Sequence, residues 1–105
     1  MSIRKGKSEA RMALEKARGT EMTFGKMLES LRLCDELSQI ELARKLGVSR
    51  AHLCDIEKGR RPVTPEKAAE YAEAMGYSVN QFVAQAIEDS LRRMGLKLKV
   101  EIKAA

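Results

Sequence analysis

The 105-residue chain has no tryptophan, two phenylalanines, two tyrosines and a single histidine. With so few rings, aliphatic side chains and alanine must fill the interior. Met22, Met27, Met75 and Met94 are expected to take up irregular gaps. The two cysteines, Cys34 and Cys54, stand 20 positions apart. A metal or redox centre needs a close pair or added histidine ligands, and His52 has no companion. Both thiols are therefore expected to be small reduced hydrophobes, with no metal and no other cofactor. No apolar run approaches the roughly 18 residues of a membrane span, and the first residues lack the apolar core of a signal peptide, so a cytoplasmic protein is expected. A glycine-rich phosphate loop, paired catalytic carboxylates and a Ser/His or Cys/His set are all missing. An enzyme is not expected.

What is present fits one small domain with appendages, and a hydrophobic share of 44% is enough for a real core. The centre of the chain reads LSQIELARKLGVSRAHLCDIEKGRRP, from Leu37 to Pro62. Ser38 is a good helix N-cap, and Glu41 three residues on can close a capping box. Ile40, Ala43 and Leu46 then recur at helical spacing, with Leu42 beside them. Gly47 stands where a helix can end in a left-handed residue. Val48 turns inward, Ser49 caps a second helix, Leu53 and Ile56 give it a buried side, and Gly59 ends it. Isolated helices below roughly 12–15 residues are marginal in water, so this pair must pack crosswise on a scaffold. That packing turns Arg50, Ala51, His52 and Asp55 outward.

The scaffold is legible on both sides. Thr23 caps a helix from Phe24 to about Cys34 with Phe24, Met27, Leu28 and Leu31 on its apolar face. Thr64-Pro65 opens another, to Met75, with Ala68, Ala69, Ala72 and Met75 facing in and Gly76 as its stop. Ser78 with Gln81 caps a long helix from Val79 to Met94, whose stripe is Val79, Phe82, Val83, Ala86, Ile87, Leu91 and Met94. The far end of that stripe, Ile87, Leu91 and Met94, exceeds what a small core needs and points to a second copy of the chain. The period then changes from 3.6 to 2: Leu96, Leu98, Val100 and Ile102 alternate with Lys97, Lys99, Glu101 and Lys103, which predicts a half-buried strand. A lone strand must find its partner outside the monomer, either across a dimer axis or on another protein's sheet. At the other end, residues 8–18 can be helical within a basic arm that could enter a minor groove, meet a protein partner or simply solubilise. The layout is thus residues 1–19 as arm, 20–77 as central domain and 78–105 as helix plus strand.

Charge separates these parts. The arm carries +4, residues 20–77 carry −1 and residues 78–105 carry +2. Within the negative middle, residues 44–61 hold Arg44, Lys45, Arg50, Lys58, Arg60 and Arg61 against Asp55 and Glu57, a local +4. A basic patch over an outward helix and the loop behind it suits a phosphate backbone.

The segment is similar to the helix-turn-helix of the Cro and phage-repressor (XRE) family, through Gln39, Leu42-Ala43, Leu46-Gly47-Val48-Ser49, Leu53, Ile56-Glu57, Gly59 and Pro62. With its flanks, the resemblance covers Thr23 to Ser78. It implies an all-α, compact five-helix domain of the lambda-repressor kind and binding to an inverted repeat in double-stranded DNA as a homodimer. It also implies roles by position. Gln39 braces a phosphate; Arg50, Ala51, His52 and Asp55 are candidate base readers; Ser49 stands between base and backbone. Lys58, Arg60 and Arg61 hold phosphates behind them. Arg50 can bridge guanine O6 and N7, and Ala51 suits a thymine methyl. His52 either donates or accepts, or is merely solvated. Asp55 either accepts from cytosine N4 or, the favoured reading, pairs with Arg50 or Lys58 on its own helix. The C-terminal layout is similar to that of XRE antitoxins, in which a short strand joins the dimer or engages a small toxin. A stand-alone repressor is the alternative.

Overall fold

The computed structural model describes residues 22–103. Five helices follow one another: α1 (Phe24–Cys34), α2 (Gln39–Leu46), α3 (Arg50–Glu57), α4 (Pro65–Met75) and α5 (Val79–Arg93). The caps fall where the sequence puts them. The hydroxyls of Thr23, Ser38, Ser49, Thr64 and Ser78 each accept the N–H three residues on. Ser38 and Glu41 form the full capping box, and the hydrogen bonds from Ser38 hold the Glu41 carboxyl below its ordinary range. Gly47 closes α2 at φ 74°, a conformation that costs an L side chain free energy and glycine nothing.

One continuous core joins all five helices. Phe24, Met27, Leu28 and Leu31 from α1 meet Leu42 and Ala43 from α2, Leu53 and Ile56 from α3, Ala68, Tyr71, Ala72 and Met75 from α4, and Phe82 and Ala86 from α5. Phe82 stands edge-on to Phe24 at 5.6 Å and stacks on Tyr77 at 6.2 Å. Phe24, Tyr77 and Phe82 are therefore gathered at one junction, where α5 closes on α1. α3 packs against α1 and α2, and α4 lies against α2 and α5.

Several expectations are corrected. Ile40 is 54% exposed: it follows the cap too closely to reach the core, and Leu42 and Ala43 take the buried positions. Met94 is 66% exposed and fills no gap. Ala69 is only half-buried, and Tyr71 takes the inward place beside Ala68 and Ala72. No strand forms among the described residues, and the chain from Leu96 to Ile102 has no regular secondary structure. A ladder needs a neighbouring strand, and every element among the described residues is helical. The segment instead turns back toward α5, where the Val100 N–H donates to Glu88 Oε2 at 2.9 Å. Leu96 and Leu98 are left exposed, and Val100 and Ile102 are half-buried.

The length of α5 has a use within the monomer that its apolar stripe did not show. Asp89 accepts the Phe24 N–H at 2.6 Å, capping the start of α1 a second time. Arg92 bonds both Asp89 (2.9 Å) and the Met22 carbonyl (3.1 Å), and Gln85 reaches the same carbonyl at 3.0 Å. A polar face of α5 thus fastens the entrance of α1. The readings that concern the basic arm, residues 1–19, lie outside the described residues.

Candidate DNA-binding surface

α3 is eight residues long and is held in place from beneath. Leu53 and Ile56 sink into the core at 0% and 2% exposure. Glu57 is buried with them, and its carboxylate accepts from Arg32 Nε at 2.8 Å, from Arg32 Nη2 at 3.2 Å and from Gln39 Nε2 at 2.9 Å. Arg32 completes its coordination by donating Nη1 to the Leu37 carbonyl at 2.9 Å. One carboxylate therefore ties the end of α3 to α1 and to the first residue of α2. With every polar atom satisfied, a buried ion network of this kind fixes geometry.

That lock also changes the surface. Glu57 is neutralised from inside by Arg32, so Asp55 is the only surface carboxylate of residues 44–61. Arg50, Ala51, Lys58, Arg60 and Arg61 are all exposed. Arg50, Lys58 and Arg61 make no ion pair among the described residues. Arg60 lies 3.7 Å from Asp55, with both side chains well exposed, an arrangement that adds little stability. Asp55 thus has an intramolecular partner, but Arg60 behind the helix, not Arg50 or Lys58 on it. The cause is the turn: the Arg60 and Arg61 N–H groups both bond the Asp55 carbonyl, which folds the basic loop back over the helix end.

The other nominated residues divide. Ser49 is committed to the cap of α3 through the His52 N–H. Gln39 is half-buried and spends one amide hydrogen on Glu57, leaving the second free. His52 is half-buried at the edge of a cleft shared with α4. Ile87 and Leu91 are half-buried on α5, and Met94, Leu96 and Leu98, which follow it, are exposed. Sequence reading passed over Arg32. It lies four residues after Leu28 on the inward face of α1, and a charge on an apolar face is a signal for a buried partner. Glu57 was noticed only as a motif residue.

Among the described residues there is no cluster of three or more potential metal ligands, and no helix is long and apolar enough to cross a membrane. Cys34 and Cys54 are not joined in a disulfide.

The helix-turn-helix family profile matches residues 28–82, from mid-α1 into α5. The chain is 33% identical over 64 residues to the immunity repressor protein of Bacillus phage phi105, an alignment covering 61% of this chain and 44% of that protein. It therefore spans less than half of that relative's length. No solved structure matches the chain. With five helices in this order, a capped turn at Gly47 and a profile match over half its length, the chain belongs to the helix-turn-helix family of the Cro and phage-repressor (XRE) type.

Proposed function

We propose that the protein is a sequence-specific transcriptional repressor that binds double-stranded DNA as a homodimer, with α3 in the major groove. The observation that carries this reading is the set of exposed cations, Arg50, Lys58 and Arg61, with no ion pair among the described residues, around a short helix locked to its scaffold by Glu57. Arg50 at the start of α3 reads guanine, Ala51 meets a thymine methyl, and His52 contacts an adjacent base. Asp55, drawn toward Arg60, takes the lesser role of aligning the loop cations. Gln39, Ser49, Lys58, Arg60 and Arg61 hold the backbone and set register. Two such helices about 34 Å apart match successive turns of an inverted repeat, and occupation of a promoter is enough for repression.

The test is binding to duplexes selected from a random pool. Arg50→Ala should weaken the selected site by roughly 1–3 kcal/mol and relax one base position. Lys58→Gln should weaken all duplexes alike. If each subunit neutralises three or four phosphates, the log–log salt slope of the wild type should be about −5 to −7. A protein indifferent to duplex DNA at low salt would refute the reading.

For the homodimer, we place the second copy on the apolar strip of Ile87, Leu91, Met94, Leu96 and Leu98. Met94, Leu96 and Leu98, at alternate positions, are 66%, 47% and 57% exposed in the single chain, large apolar groups left in water. Replacing Leu96 and Leu98 by Glu should halve the mass measured in solution. A monomeric wild type at the concentrations that bind DNA would remove the dimer from the account.

Of the two cellular roles, we favour the stand-alone repressor. The relative is named as a phage immunity repressor, and the strand that suggested an antitoxin is not formed among the described residues. Co-purification of the native protein with a small second chain would reverse that choice.

A further inference from the structure

A cleft of about 180 Å³ opens between α3 and α4. Its floor is apolar, made by Ile56, Val63 and the ring of Tyr71, and its rim carries His52, Arg61 and Lys67. None of the described carboxylates lines it. Tyr71 is the unusual member. It is 4% exposed, and its hydroxyl makes no hydrogen bond among the described residues. A sealed hydroxyl without a partner is destabilising, because it loses its bond to water and gains none in return. No sealed, unpartnered polar side-chain atom exists among the described residues, so this hydroxyl is reached through the cleft. Burial holds the phenol above its ordinary range, although Lys67 and Arg61 pull it the other way. At neutral pH it is a donor without an acceptor. Lys67 meets Glu70 at 3.2 Å, with both side chains more than half exposed, a pair weak enough to exchange for a better anion.

We propose that this cleft is an oxyanion seat in which the Tyr71 hydroxyl, Arg61 and Lys67 hold one backbone phosphate of the bound duplex beside α3. The inference rests on the DNA-binding reading above and adds Tyr71 and Lys67 to it. Three features select this ligand. The donors are one neutral hydroxyl and two cations, the set that a singly charged phosphodiester satisfies. The floor of Ile56 and Val63 suits the apolar edge of the flanking sugar. His52 belongs both to the base-reading start of α3 and to the rim, so a strand whose bases lie against α3 passes over the opening.

A free phosphate ion shares the chemistry, and the experiment separates the two sources. Full-length wild type, Tyr71→Phe, Lys67→Gln and Lys58→Gln are titrated with the selected duplex and a scrambled duplex across a salt series, and heated with increasing inorganic phosphate. Tyr71→Phe removes only an oxygen and should keep the thermal midpoint. It should weaken both duplexes by the same factor, about tenfold or more, as loss of a hydrogen bond to a charged group does. Lys67→Gln should flatten the salt slope by about 0.9 per subunit, with sequence preference unchanged in both variants. If both bind DNA like the wild type while Lys58→Gln is weakened, the seat is wrong and the DNA-binding reading stands. If inorganic phosphate stabilises the wild type but not Tyr71→Phe, and DNA affinity is equal, the cleft takes a free anion and the proposal falls. A wild type that ignores duplex DNA removes both.

Discussion

Arg32→Met should destabilise the domain by about 3–5 kcal/mol, although methionine matches much of the arginine's length and favours helix. The reason is what remains behind. The Glu57 side chain is 3% exposed, and Arg32 provides two of its three hydrogen bonds. Without the guanidinium, a carboxylate stays in the core with only the Gln39 amide beside it, and the Leu37 carbonyl loses its donor as well. A domain of this size has about 5–15 kcal/mol in all, so the variant should be partly unfolded near body temperature. Urea unfolding followed by helical circular dichroism gives the number. Glu57→Gln should cost less, because a neutral amide can keep one bond to Arg32 and removes the buried anion. Replacing Arg32 and Glu57 together by Met and Leu should recover much of the loss. If Arg32→Met unfolds within 1 kcal/mol of wild type, the network does not hold α3 in the way described.

The consequence for function is direct. α3 is too short to be helical alone, and its outward residues are useful only at a fixed angle to the scaffold. Leu53 and Ile56 supply the attraction, but apolar contact tolerates rotation of a short helix. The forked guanidinium facing Glu57 does not, since both its bonds have directions. Loss of the pair should therefore blur base preference in any variant that remains folded.

The helices themselves were readable because each starts at a hydroxyl cap and each apolar face repeats at helical spacing. Thr23, Ser38, Ser49, Thr64 and Ser78 set the boundaries to within a residue. The outward face of α3 followed from Leu53 and Ile56 alone. What escaped was long-range and polar. Periodicity weights apolar side chains, so Arg32 and Glu57 were invisible as partners 25 positions apart. Asp89 was likewise unseen as the acceptor for Phe24, 65 positions away. The period-2 run from Leu96 to Ile102 misled for a related reason. Alternation shows what a segment could do beside another strand, and it cannot say whether that strand exists. Tyr71 was missed because the alanines around it carried the pattern of α4.

Gly25 is a further case in which pattern and packing disagree, and it gives the second large effect. Gly25 is the second residue of α1 and is buried. By helix propensity alone, Gly25→Ala should stabilise by up to about 1 kcal/mol. In the fold, α1 crosses the last turn of α3 at this point. An added Cβ would overlap the Ile56 carbonyl oxygen and lie 2.7 Å from that of Glu57. Both obstacles are backbone of a helix end, so they cannot swing aside as a flexible side chain would. α1 and α3 must separate, which loosens Phe24, Leu28, Leu53 and Ile56 together and pulls on the Glu57 network. We expect a net loss of about 2–3 kcal/mol, toward the upper end of ordinary overpacking. The sign is the decisive readout. In the same urea series, Ser90→Ala on the exposed side of α5 should follow propensity and change stability by less than about 0.5 kcal/mol. If Gly25→Ala instead raises the midpoint, α1 does not cross α3 this closely, and the angle at which the scaffold presents Arg50 has to be redrawn.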